Sequence, residues 1–254
     1  MRLAIAQRRM HWTLAENLAA MLSALDLAAD QGAAVCAFGE LALTGYHREI
    51  AREAEPARVQ QGLDALRARC RQRRIAAAVG APTWPASGGK PFNSLLLFDE
   101  QGELRATVSK DGLTLVETFF FQPGRGRDVA LLQGRRCTAV LCREVEDGDT
   151  IAAQLPPGRA ELVFWPSLTS PRQEDDVPPY QPLVQALARE SQAWWIQCNA
   201  PNAPNTPDAR GLGGSIVVAP DGDIRLQLPL DEPGLAVFTL GERRFDWHPE
   251  AGGD

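Results

Sequence analysis

Short apolar runs of strand length recur along the chain, at residues 3–6, 33–38, 75–79, 94–98, 104–108, 129–132, 138–141, 162–165, 194–197, 215–219 and 235–240. Helical patterns separate several of them. Thr13 is placed to cap the first helix, with Glu16 three residues on completing a capping box and Gly32 standing where a C-terminal glycine would end it. Between those signals Leu18, Met21, Leu22 and Leu25 fall at i, i+3, i+4 and i+7, one apolar stripe to lay on a sheet. A second helix is predicted over 57–74, with arginines in its last turns where cations complement the helix dipole. A third is predicted over 179–192, with Leu183, Val184 and Leu187 on one side. Asp99-Glu100-Gln101-Gly102 and Pro220-Asp221-Gly222-Asp223 read as turns between paired strands. The polar, proline-rich tracts 170–179 and 201–210 read as loops. Strands interleaved with helices in this way predict an α/β fold.

At 254 residues and 44% hydrophobic, the chain is long enough for one substantial core, and no linker or repeat divides it, so a single domain over 1–254 is expected. A net charge of −6 argues against nucleic acid as partner. Five cysteines, an odd number with no CxxC pair, support neither a disulfide framework nor a zinc ribbon. Cys137 and Cys142 lie five apart on one predicted strand, which would point them to opposite faces. The N-terminal apolar run is too short before Arg8 and Arg9 for a signal peptide. No apolar stretch approaches the ~18 residues of a membrane span. A soluble, cytoplasmic protein without a membrane partner is therefore expected.

Three reactive side chains stand where predicted strands stop: Glu40, Lys110 and Cys142. Taken singly each has an ordinary explanation, as a solvated carboxylate, a surface ammonium and a small buried hydrophobe. Lysine is scarce, however, since Lys90 and Lys110 are the only two among 26 basic residues, and Lys90 lies in a glycine-rich loop. Ligands gather at the carboxyl ends of strands in α/β architectures. Together the three groups would supply a nucleophile, a base and a cation for attack on a carbonyl or nitrile carbon.

The flanking residues resemble the nitrilase superfamily of carbon-nitrogen hydrolases. Phe38-Gly39-Glu40-Leu41-Ala42-Leu43-Thr44-Gly45-Tyr46 is similar to its first motif, and Ser109-Lys110-Asp111-Gly112-Leu113 followed by Glu117 and Phe119-Phe120-Phe121-Gln122-Pro123-Gly124 to its second. Val140-Leu141-Cys142-Arg143-Glu144 is similar to the third, and 162–167 and 213–222 look like later strands of the family. The resemblance implies an α-β-β-α sandwich, no cofactor and no metal, and association as a homodimer or larger homo-oligomer. It implies Glu40 as general base, Cys142 as nucleophile, and Lys110 with the Arg143 N–H as oxyanion partners, Glu117 holding the lysine. The implied reaction is hydrolysis of a small linear amide or N-carbamoyl compound through a thioester, with amidase preferred to nitrilase. An acyl-transferring relative and a non-catalytic binding protein are the alternatives.

Departures from the family pattern occur beside each of the three reactive residues. Gly39 replaces a proline, Ser109 a basic residue, and Glu146-Asp147-Gly148 follows where Phe-Pro-Glu is common. Arg143 is open to two readings, a clamp for a substrate carboxylate or, preferred, a salt bridge to Glu144 or Glu146. Tyr46 and Trp165 are candidates to line the substrate pocket, with aromatic core packing as the other explanation. His47 reads as a loop residue rather than a base. A compact ammonium can sit between a thiol and an oxyanion, whereas a guanidinium spreads its charge over a planar fork. Lys110→Arg is therefore expected to abolish turnover, measured as loss of ammonia release from an amide substrate.

Overall fold

The computed structural model describes residues 1–47, 50–169, 180–202 and 211–250. Along these the chain forms β1 (Arg2–Gln7), α1 (Leu14–Asp30), β2 (Val35–Ala37), α2 (Ile50–Glu53), α3 (Pro56–Arg73), β3 (Ala76–Thr83), β4 (Phe92–Phe98) and β5 (Leu104–Ser109). There follow β6 (Ala130–Leu132), β7 (Arg135–Ala139), α4 (Gly148–Gln154), β8 (Leu162–Ser167), α5 (Gln181–Ser191), β9 (Trp194–Asn199), β10 (Ile216–Val218), β11 (Ile224–Gln227), β12 (Gly234–Thr239) and β13 (Phe245–Pro249). One sheet has the order β13-β12-β1-β2-β3-β4-β5, the other β11-β10-β9-β8-β7-β6. Each is built alike: a parallel trio, β1-β2-β3 or β7-β8-β9, flanked on both sides by antiparallel strands.

The strands are apolar on both faces because both faces are covered, as expected for parallel strands at the centre of layered sheets. Alternation sends Leu3, Ile5, Leu95 and Leu97 inward to meet Leu141, Leu162, Phe164 and Ile196 of the opposite sheet. The opposite faces turn outward to the helices. Ala4, Cys36, Ala77 and Val79 pack under Met21 and Leu25 of α1 and Leu63 and Leu66 of α3. Val163, Trp165 and Trp195 pack under Ile151 of α4 and Val184 and Leu187 of α5. The architecture is the α-β-β-α sandwich that the sequence motifs implied. No helix among the described residues is long and apolar enough to cross a membrane.

Thr13 and Glu16 form the expected capping box, and Gly32 takes a positive φ of 73° just past the end of α1. The buried stripe is rotated from the predicted one. Ala24, Leu25 and Ala28 lie at its centre, while Leu18 and Leu22 are half-buried at its edge, because α1 packs against α3 as well as against the sheet. Leu183 is 40% exposed and does not join Val184 and Leu187 in the core. The start of the third predicted helix, the 170–179 tract and most of the 201–210 tract lie outside the described residues. The pattern gave no warning of α4, whose seven residues are too few for a legible period, nor of β13, an outer strand with both faces partly exposed. β7 stops at Ala139, so Cys142 begins a separate 3₁₀ turn and shares no strand with Cys137. All five cysteines are buried and unbridged.

One glycine carries the turn after β2. A Cβ on Gly80 in β3 would lie 2.1 Å from the Gly39 carbonyl oxygen and 2.7 Å from the Leu41 nitrogen. Only a residue without a side chain lets the turn bearing Glu40 close over β3. Gly80→Ala is expected to destabilise the protein by about 2 kcal/mol, the usual scale of overpacking. Urea denaturation checks this, and unchanged stability would show that the turn moves freely.

Candidate active site

The turn after β2 is pinned to β3 on both sides of Glu40, by Phe38 N–H to Ala78 O (2.9 Å) and Leu43 N–H to Gly80 O (3.1 Å). Lys110 directly follows β5, and its backbone is held by Lys110 N–H to Asn93 O (2.7 Å) and Gly124 N–H to Lys110 O (2.8 Å). The Pro123-Gly124 turn can approach because a Cβ on Gly124 would lie 2.4 Å from the Ser109 carbonyl oxygen. Glu117 opens a 3₁₀ turn, Glu117–Phe119, and accepts from the Thr114 N–H at Oε2 (2.8 Å). Cys142 begins a 3₁₀ turn, Cys142–Glu146, with a φ of 47°. A non-glycine residue held in that region costs on the order of 1–3 kcal/mol, and such strain clusters at working sites. The elbow is braced from behind by Trp165, whose indole N–H donates to the Cys142 carbonyl at 2.9 Å.

These turns bring the charged groups into one buried cluster. The Lys110 Nζ donates to Glu40 Oε1 at 2.8 Å and to Glu117 Oε1 at 2.7 Å, all three side chains being 1% exposed or less. Asn93, also buried, donates through Nδ2 to the same two oxygens, at 2.8 and 3.3 Å. Among the described residues no nitrogen or oxygen donor meets Glu40 Oε2, and the Cys142 thiol is close enough to Glu40 to hydrogen-bond with its carboxylate. The Glu40 carboxylate is the principal charged influence on the Cys142 thiol.

Burial raises the Cys142 thiol above its ordinary pKa, the negative charge of Glu40 raises it further, and Lys110 opposes both without prevailing. The resting group is therefore a neutral thiol. Glu40 is likewise pushed above the usual carboxylate range by burial, then pulled back in part by Lys110 while Glu117 pushes it up. For Glu117, burial acts upward, but the Lys110 ammonium and the Lys110 and Thr114 hydrogen bonds outweigh it and hold the carboxyl low. Burial would strip Lys110 of its proton, yet the surrounding anionic groups, Glu40 foremost, keep it firmly an ammonium. The two carboxylates thus differ: both hold the lysine, but the Glu117 carboxyl is kept low whereas Glu40 has a raised proton affinity beside a thiol.

Tyr46 borders this cluster: its hydroxyl is raised far above the ordinary value by burial and then by Glu40 and Glu117. It packs with Trp84, Leu113 and Phe120 against Leu41, Ile50, Ala54 and Phe121, an apolar group beside the charged one. Trp165, a candidate for the pocket wall, is 1% exposed and lies behind the elbow. Arg143 is engaged by Glu146 (3.3 Å), Asp147 (3.2 Å) and the Gly112 carbonyl (3.1 Å). Of its two expected salt-bridge partners, Glu146 is used and Glu144 is not. His47 is buried and packs against Trp12, ring centroids 4.7 Å apart. Lys90 is exposed and donates to the Thr118 carbonyl. Among the described residues no group of three or more His, Cys, Asp or Glu side chains is placed to hold a metal ion. Asn93 was not singled out from sequence. Its only signal was a polar Asn-Ser pair heading an otherwise apolar strand.

Two stacked sheets clothed by helices, with a cysteine raised on an elbow at their edge, define a class of hydrolase rather than a particular enzyme. Within that class the chain belongs to the carbon-nitrogen hydrolase family, whose model matches residues 2–243. Its structural neighbours are amidases of the nitrilase superfamily. A mutant of the amidase from Nesterenkonia sp. AN1, showing Michael addition of acrylamide at its active-site cysteine, is 28% identical with a TM-score of 0.83, covering 94% of this chain and 93% of that one. Another mutant of that amidase, with the acetamide moiety of fluoroacetamide on the cysteine, is 27% identical with a TM-score of 0.82, covering 93% and 89%. A third, in complex with butyramide, is 28% identical with a TM-score of 0.82 over the same shares of the chains. No curated protein sequence matches the chain.

Proposed function

We propose that the protein hydrolyses small, uncharged aliphatic amides through a thioester on Cys142. The observation that carries this reading is the Lys110 ammonium held between Glu40 and Glu117 at 2.8 and 2.7 Å beside a strained, buried cysteine. Glu40 takes the thiol proton as Sγ attacks the amide carbon, which suits a neutral thiol next to a carboxylate of raised proton affinity. The carbonyl π pair moves to oxygen. That oxyanion meets the Lys110 ammonium and the N–H of Arg143, which lies in the first turn of its 3₁₀ segment, where N–H groups lack intrahelical partners. Glu40 returns the proton to the amide nitrogen, the C–N bond breaks and ammonia leaves. Water then adds to the thioester with Glu40 taking its proton, the tetrahedral oxyanion collapses with loss of the Cys142 thiolate to release the carboxylic acid, and Glu40 returns the proton to sulfur to recover the thiol.

Neutral amides are favoured over N-carbamoyl acids because Arg143, the cation next to the nucleophile, is already matched by Glu146 and Asp147. The apolar group of Leu41, Tyr46, Leu113 and Phe121 suits a short alkyl chain. Acrylamide, fluoroacetamide and butyramide in the amidase structures are ligands of this class.

Ammonia release is to be measured across acetamide, butyramide, an N-carbamoyl amino acid and butyronitrile, with intact mass to detect the acyl adduct. Turnover of the simple amides with an acyl mass on Cys142 is expected. Cys142→Ser should abolish it, a loss of about 10²-fold or more for removal of a nucleophile's activated thiol. Turnover of the carbamoyl acid alone, or substantial activity in the serine variant, would overturn the reading.

The acid limb of kcat/KM should report the Glu40 carboxyl and lie above the ordinary carboxylate range. Glu117→Gln removes a negative charge that raises Glu40 and leaves Lys110 to act on Glu40 alone, so both changes lower its pKa. The limb should move to lower pH in that variant. A limb that stays put or moves up would remove Glu40 from the base role.

A further inference from the structure

We infer that Glu144, with its buried partner Arg127, is a positioning residue that sets the spacing between the Lys110 ammonium and the Cys142 thiol. The inference rests on the reading of Cys142 as nucleophile. Lys110 follows β5 in one sheet and Cys142 follows β7 in the other, so no backbone ladder fixes one against the other. Glu144 bridges the gap. Its Oε1 accepts from the N–H groups of Asp111 (2.7 Å) and Gly112 (3.2 Å), the two residues after Lys110. Its Oε2 accepts from the N–H of Leu141 (2.7 Å), the residue before Cys142.

Arg127 holds the carboxylate from the far side. Its guanidinium meets Oε1 at 3.0 Å and Oε2 at 3.1 Å, and the two side chains are 2% and 1% exposed. The same guanidinium donates to the carbonyl of Ala139 (2.9 Å), the last residue of β7, and to Gln154 of α4 (2.8 Å). A buried ion pair contributes little net stability over an apolar replacement, because desolvation consumes most of the Coulombic gain. What this pair supplies is geometry: a planar fork meeting a carboxylate whose two oxygens reach into two different turns. An amide in the same place has one acceptor oxygen. Its NH₂ would face either the 111–112 N–H groups or that of Leu141, donor against donor, so one of the two turns must be released.

The test reads Cys142 directly. Wild type and Glu144→Gln are alkylated with iodoacetamide across pH, the label on Cys142 is followed by peptide mass, and kcat and KM are measured on butyramide. In the variant the ammonium is expected to draw away from the thiol, so alkylation slows at neutral pH and its profile moves to higher pH. For butyramide, kcat should fall about a hundredfold, the scale of a 1 Å misplacement, with KM nearly unchanged. Glu144→Asp, which restores both acceptor oxygens on a shorter stem, should recover part of the loss.

A folded Glu144→Gln protein whose Cys142 profile coincides with wild type would overturn the inference, even if its melting temperature falls. If that variant does not fold, Arg127→Lys keeps the buried positive charge and removes the fork, and its alkylation profile is judged by the same standard. The alkylation arm needs no substrate. A wild type that releases no ammonia from any amide would therefore fail the proposed function while the positioning role stands or falls on its own profile.

Discussion

A lysine ammonium that is 1% exposed cannot stand alone in a protein interior. The penalty for taking it out of water is several kcal/mol, and only close, hydrogen-bonded counter-charges offset it. Lys110 has two, Glu40 and Glu117, and each comes from a different turn. That requirement explains much of the surrounding construction. Asn93 donates to both carboxylates, Thr114 fixes the second oxygen of Glu117, and Gly80 and Gly124 are bare so that the turns carrying Glu40 and Lys110 can close onto their strands. Burial first, and then the net negative charge of Lys110 and its two carboxylates, raises the pKa of the neighbouring thiol, since a thiolate would add a second uncompensated charge.

The turns bearing Glu40 and Cys142 leave parallel strands, β2 and β7, whereas Lys110 leaves β5, an antiparallel outer strand. Chains leaving parallel strands at their carboxyl ends are released from the hydrogen-bond ladder, and the side chains there need not alternate between faces. Leu41, next to Glu40, and Cys142 both adopt left-handed backbone, at φ of 50° and 47°. Conformations of that kind are held only where the surroundings over-determine them. Around Cys142 that work falls to the Trp165 indole on its carbonyl and to Glu144 on the Leu141 N–H. The catalytic candidates thus depend on a shell of buried polar contacts drawn from both sheets.

How much of this could be read beforehand differs residue by residue. The layers were legible, since apolar runs at strand length, the Thr13–Glu16 capping box and the two acidic turns are local signals with local causes. Glu40, Lys110 and Cys142 stood out by their flanks and by the scarcity of lysine. The Cys142 elbow was hidden because its apolar approach, residues 138–141, reads as strand right up to the cysteine, whereas the ladder ends at Ala139. Trp165 is an aromatic near a motif whether it walls a pocket or braces an elbow. Asn93 and Arg127 lie outside the motifs, and Glu144 lies inside the third without its partners being legible, because a buried polar residue looks like an exposed one until its partners are known.

The sequence by itself determined the layered α/β fold and singled out Glu40, Lys110 and Cys142 as candidates, because periodicity, caps and short motifs depend on neighbours a few residues apart. Tertiary structure alone decided which groups are buried, which of the two carboxylates on the lysine is held low and which has a raised proton affinity, and what spans the two sheets. Those properties come from desolvation and from charges brought together across 70 positions between Glu40 and Lys110, and 33 between Asp111 and Glu144. Neither distance nor dielectric is written in the local chain; both appear only when the strands are packed.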